Sequence, residues 1–128
     1  MKLEVGQLVR LKSGYICKII NINDFREPNM KYGVEASYLK DIMFIGDDDI
    51  VKASYNIIDI LEENDYVNGL RVEKNKYGEL YTSYVYYGGD IGKQCEVYTT
   101  WLKELKEDMI YSIVTHEQME QMAYKVVE

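Results

Sequence analysis

Nearly every apolar or alternating run in this chain is four to eight residues long and ends at a turn residue. That spacing constrains the fold more than any other feature. Runs so short suit the strands of an all-β sandwich or barrel and are too short for bundled helices. "GQLVRLKSGYICKIINI", residues 6–22, alternates and is rich in β-branched residues. Leu8, Arg10 and Lys12 share one face, and Val9 and Leu11 the other. Ser13-Gly14 marks a hairpin between two strands, because Gly adopts the positive φ such turns require. "NDFREPNMKYG" reads as a loop around Pro28, with Asn29 and Gly33 as turn residues. "VEASYLKDIMFI" fits a strand or a short helix. "GDDD", residues 46–49, is a polar turn, and "IVKASY" a further strand. "NIIDIL" predicts one tight helical turn capped by Asn56.

The second half continues the pattern. Asn68-Gly69, Lys76-Tyr77-Gly78 and Gly88-Gly89 separate strands between residues 65 and 102. "LKELKED" is a charged connection or one helical turn, and "MIYSIV" predicts a last full strand. "THEQMEQMA" is the best helix: Thr115 is its N-cap, and Gln118 completes a capping box. Ile113, Met119 and Met122 would then face the core. "YKVV" predicts a closing edge strand.

"LEENDYVNG", residues 61–69, echoes "LEVGQLVRLKSG", residues 3–14. Leu61, Glu62 and Val67 stand where Leu3, Glu4 and Val9 stand, at an offset of 58. Two strand entries of one kind imply a mainly β chain of one or two small SH3-like β-barrel units, or one larger barrel with pseudo-repeats, with a short C-terminal α-helix; the alternative is chance similarity between two strand starts. The expected division is 1–53 and 54–128, packed as two domains or as one.

The chain has 128 residues, 47% hydrophobic and 29% charged, which is the composition of a folded protein. The net charge of −7 is opposite to that of most nucleic-acid binders, so no direct nucleic-acid contact is expected. The opening "MKLEVGQLVR" has no apolar run, and no stretch nears the roughly 20 apolar residues of a membrane span. The expected location is therefore the cytoplasm. There Cys17 and Cys95 would be free thiols, although a bridge between them stays open.

No motif carries a reaction. Gly88, Gly89, Asp90 and Gly92 resemble a phosphate loop but precede a strand-like run, which favours a hairpin. Asp47, Asp48 and Asp49 lack the alternate spacing and closing Glu of a calcium loop. His116 is the only histidine. Nothing in its spacing makes it a partner for a Cys95 nucleophile, and no Cys/His cluster suits zinc. The expectation is no enzyme, no catalytic residue, no cofactor and no metal.

Two features suit binding to another protein. Tyr is unusually frequent, 13 against 2 Phe and 1 Trp. "YTSYVYY" places Tyr81 and Tyr87 on one strand face and Tyr84 and Tyr86 on the other, and exposed Tyr clusters mark interfaces. Acidic residues gather at Asp47, Asp48 and Asp49, at Glu62, Glu63 and Asp65, and at Glu104, Glu107 and Asp108. A carboxylate face of this kind can occupy a basic groove in place of phosphates.

"NIIDILEENDYVNG" (56–69) and "SIVTHEQME" (112–120), with "VGQLVRLKSGYICKI", resemble a family of small uncharacterised proteins of phages and prophages of low-GC Gram-positive bacteria. The resemblance covers under half the chain and brings no activity. It implies a mobile element in a bacterial cytoplasm, where genes of this size and acidity often encode accessory factors such as anti-CRISPR proteins. The expected function is a stoichiometric inhibitor of a host defence or nucleic-acid-handling protein with a basic groove. The alternative is an oligomeric structural or assembly module of a phage particle.

Overall fold

A computed structural model describes residues 2–36, 41–87 and 95–126 of the chain. It is mainly β, with one α-helix near its C-terminus. The chain divides into two compact units, Met1–Ile60 with Glu120–Glu128, and Leu61–Met119.

The first unit holds β1 (Leu8–Leu11), β2 (Ile16–Ile22), β3 (Tyr32–Glu35), β4 (Met43–Ile45) and β5 (Ile50–Ser54). They form one sheet in the order β4-β3-β2-β1-β5, antiparallel at every pairing. The predicted β1–β2 hairpin is present. Gly14 takes φ +91 and donates its N–H to the Leu11 carbonyl at 2.8 Å. This fixes Val9 opposite Cys17. Val9, Leu11, Cys17, Ile19, Tyr32, Val34, Ile45 and Leu3 form the core. Among the described residues, the sheet ends at β4 and β5 without closing into a barrel.

Arg10, on the strand face opposite Val9 and Leu11, is nevertheless buried, only 1% exposed. A 3-10 turn at Ile57–Ile60 packs against β1 and β5, and Arg10 Nη1 donates to the Ile60 carbonyl at 3.1 Å. Asn56 caps that turn as predicted, its Oδ1 accepting the Ile58 N–H. The "GDDD" turn is a 3-10 turn at Asp47–Asp49. Gly46 before it admits no side chain, because a Cβ there would lie 2.5 Å from the Pro28 carbonyl oxygen.

The second unit holds β6 (Tyr66–Val67), β7 (Leu70–Arg71), β8 (Glu73–Lys74), β9 (Leu80–Tyr87), β10 (Cys95–Trp101) and β11 (Ile113–Val114), in two sheets ordered β10-β9-β8 and β11-β6-β7. Asn68 (φ +54) and Gly69 (φ +82) make the predicted two-residue turn between β6 and β7. The full strand expected at "MIYSIV" shrinks to Ile113–Val114. Met109 closes a 3-10 turn, and the N–H groups of Tyr111 and Ser112 both donate to Asn68 Oδ1, at 2.6 and 3.1 Å, so they are not free for a ladder.

The helix α1 (His116–Val126) begins where the capping box places it. Thr115 N donates to Gln118 Oε1 at 2.9 Å, and Gln118 N to Thr115 Oγ1 at 3.4 Å. Met119, expected in the core, is instead exposed, and the Met122 side chain lies outside the described residues. The helix runs on through Tyr124–Val126, where the sequence predicts an edge strand. No Gly or Pro stands there to stop it. Among the described residues, no helix is long and apolar enough to cross a membrane. Residues 37–40 and 88–94, which include Gly88, Gly89, Asp90 and Gly92, lie outside the described residues.

Candidate functional site

The 58-residue echo is a repeated backbone device. In the first copy Gly6 takes φ +98 and donates its N–H to the Ile19 carbonyl, while Ile19 N donates to the Gln7 carbonyl. In the second, Asn64 takes φ +75 and donates to the Val72 carbonyl, while Val72 N donates to the Asp65 carbonyl. Each copy is locked by a side chain. Gln7 Oε1 accepts the Glu4 N–H at 2.8 Å, and Asp65 Oδ2 accepts the Glu62 N–H at 2.7 Å. Each then feeds a buried valine, Val9 or Val67.

Asp65 differs from Gln7 in having a second acceptor of equal strength. Its Oδ1 takes the His116 N–H at 3.0 Å, so one carboxylate joins the entry of β6 to the first turn of α1. Asp65 is fully buried. This corrects its expected place on an open acidic surface: the carboxylate faces two backbone amides. Asn68 ties the same segments again, donating through Nδ2 to the Met109 carbonyl at 2.9 Å. Residues 61–69 and 112–119, separate in the sequence, thus form one cluster.

On that frame sit three half-buried side chains. His116 Nε2 lies 2.9 Å from Glu62 Oε1 and 2.7 Å from Glu117 Oε1. The three groups place one ligand atom each within 4.8 Å of one another. The sequence singles out Glu62 and His116 for other reasons, and does not single out Glu117. Their meeting has no signature in spacing, because Glu62 and His116 are 54 positions apart. The one usable signal is the capping box, which fixes His116 and Glu117 on the first turn of a helix.

The tyrosine strand forms a ribbon. β9 and β10 pair from Tyr81↔Trp101 to Tyr87↔Cys95, while β8 covers β9 only at Leu80 and Tyr81. The predicted faces hold. Tyr81 meets Trp101 edge-on at 5.4 Å on one side, and Tyr84 stacks on Tyr98 at 5.2 Å on the other. Tyr84, Val97 and Tyr98 are exposed on the two faces, Val97 at 64%. Tyr86 and Tyr87 continue β9, but their side chains lie outside the described residues.

The acidic residues are divided between the units. Asp47, Asp48 and Asp49 belong to the first, and Glu62, Glu63 and Asp65 to the second. Asp47 Oδ1 accepts the Tyr32 hydroxyl at 2.6 Å, and Asp49 Oδ2 accepts the Gly46 N–H at 3.0 Å. Asp49 thus holds its own turn and Asp47 ties that turn to β3, though both are exposed. Asp48 and Glu63 are exposed. Cys17 is a free, buried thiol whose pKa burial pushes up to about 11. It borders a depression of about 410 Å³ with Leu8, Ile16, Lys18, Glu35 and Ala36, but a thiol so protonated is a poor nucleophile near neutrality.

No protein-family model, curated protein or solved structure matches the chain.

Proposed function

We propose that the protein is a non-enzymatic binding protein that acts stoichiometrically through its second unit on a basic host protein. In this reading the partner is a defence or nucleic-acid-handling factor of a bacterial host, and the chain is a phage accessory protein. The observation that carries the binding reading is the exposed Tyr84–Tyr98 stack on a ribbon that also exposes Val97. Aromatic side chains give large contact areas at low conformational cost and are enriched at the centres of interfaces. Charge supports the choice of partner. The second unit has eleven acidic and six basic residues, hence five of the seven net negative charges. The likeness of residues 56–69 and 112–120 to phage proteins supports the host setting. We also read the first unit as an opened SH3-like unit, supported by its meander β1–β4, the 3-10 turn at Asp47–Asp49 and the return of β5 beside β1.

The test is a pull-down from nuclease-treated host lysate with wild-type protein and a Tyr84→Ala/Tyr98→Ala double variant. The expected result is one stoichiometric basic partner, lost with the double variant while its melting temperature stays within a few degrees. Equal capture by both proteins would remove the ribbon from the interface. A second reading, an assembly module of a phage particle, has its own observation: among the described residues, the seven-residue β10 is an edge of its sheet. Light scattering across a dilution series separates the two. A defined multimer that captures no host protein supports the assembly module, and a monomer excludes it.

A further inference from the structure

The geometry points to a divalent transition-metal site formed by Glu62 Oε1, His116 Nε2 and Glu117 Oε1, with zinc the ion its chemistry fits best. These three groups converge from two chain segments, with His116 Nε2 donating to the carboxylates at 2.9 and 2.7 Å through a proton that a bound cation would displace. Two carboxylates supply two negative charges to a divalent cation, and the imidazole binds through Nε2 once its proton is displaced. One imidazole nitrogen with two carboxylate oxygens is a donor set of intermediate hardness. It suits Zn²⁺ ahead of Ca²⁺ or Mg²⁺, which prefer oxygen alone. Three protein ligands leave a fourth tetrahedral position for water. Donors around a tetrahedral zinc stand about 3.3 Å apart, so the two short contacts need open by only about half an ångström, within the reach of side-chain torsions.

The backbone under the ligands is already fixed. Asp65 Oδ2 holds the amide of Glu62 and Asp65 Oδ1 the amide of His116, so one buried carboxylate sets the spacing of two ligand-bearing residues. Thr115 and Gln118 cap the turn that carries His116 and Glu117. Asp65 is the positioning residue of the site. Supporting contacts of this kind are what separate a built metal site from a chance meeting of carboxylates. The half-buried setting reduces competition from water while leaving a path for the ion.

Because His116 is the only histidine, the test has a single reporter. The full-length chain, labelled with ¹⁵N-histidine, is titrated with Zn²⁺ while the imidazole nitrogens are followed by NMR. Calorimetry gives the stoichiometry. The expected result is one zinc per chain, a large shift confined to Nε2, and affinity lowered at least tenfold in Glu62→Gln and in Glu117→Gln. Asp48→Asn, in the other unit, should bind as wild type does. Imidazole resonances unmoved by excess Zn²⁺ would overturn the site, as would undiminished affinity in a Glu62→Gln/Glu117→Gln double variant with a wild-type circular dichroism spectrum. Should the variants fail to fold, the wild-type titration decides alone.

Discussion

Asp65 and Gln7 occupy equivalent places in the two strand entries, yet they do different amounts of structural work. Gln7 satisfies one exposed amide with a neutral acceptor. Asp65 is buried and satisfies two amides with a charged one. Charge-assisted bonds are stronger, and an amide stripped of its partner in a buried place costs its full desolvation. Asp65→Ala should therefore lower stability by about 3 kcal/mol, against about 1 kcal/mol for Gln7→Ala. Urea unfolding of the two variants checks the ratio, and equal losses would refute the assignment. Cys17 offers a second residue-scale prediction. Its folded pKa of about 11 lies above the ordinary 9.0, so the native state holds the proton more tightly than the unfolded chain. The thiol's contribution is complete below pH 9 and lost as pH rises from 9 to about 11, at a total of about 2–3 kcal/mol. Over that window the stability of wild type should fall relative to Cys17→Ala, and a constant difference between them would refute the burial. At this scale the sequence is legible where the side chain acts on its own neighbourhood, as with Asn56 and the Thr115–Gln118 box. It is not legible for Arg10 or Asp65. Their polar side chains imply solvent, but partners far along the chain bury them: Ile60 for Arg10, His116 for Asp65.

At the scale of elements, turn chemistry carries the reading. Gly14, Asn68-Gly69 and Gly78 all take the positive φ that the turn signals require. The alternation of "YTSYVYY" places Tyr81 and Tyr84 on opposite faces, and the register of β9 with β10 then pairs each with an aromatic partner. Strand lengths are less legible, because a side chain elsewhere decides them. Asn68 takes the amides that "MIYSIV" would have used in a ladder, and only two residues of it remain a strand. A cross-strand aromatic pair exposed to water is worth about 0.5–1 kcal/mol, so the Tyr84→Ala/Tyr98→Ala variant should fold with little loss. That small expected cost is what makes the variant a clean probe of binding. An unfolded double variant would mean that the ribbon is structural.

At the scale of the whole molecule, the charge is unevenly divided. The first unit, with nine basic and eleven acidic residues, carries a net −2 and the second a net −5. A field concentrated on the unit that bears the aromatic ribbon should steer a basic partner toward it. Steering acts over distances comparable with the Debye length, about 10 Å at 0.1 M salt, whereas aromatic contacts act only on touching. The two contributions therefore separate kinetically. Raising the ionic strength from about 0.05 to 0.5 M should slow association roughly tenfold or more and leave dissociation nearly unchanged. The tyrosine double variant should do the reverse, speeding dissociation at constant association rate. Surface-based kinetics with the captured partner measures both constants in one experiment. An association rate indifferent to salt would mean that the acidity serves solubility alone and that the partner is not basic. The ribbon would then remain the only recognition element of the proposed interface.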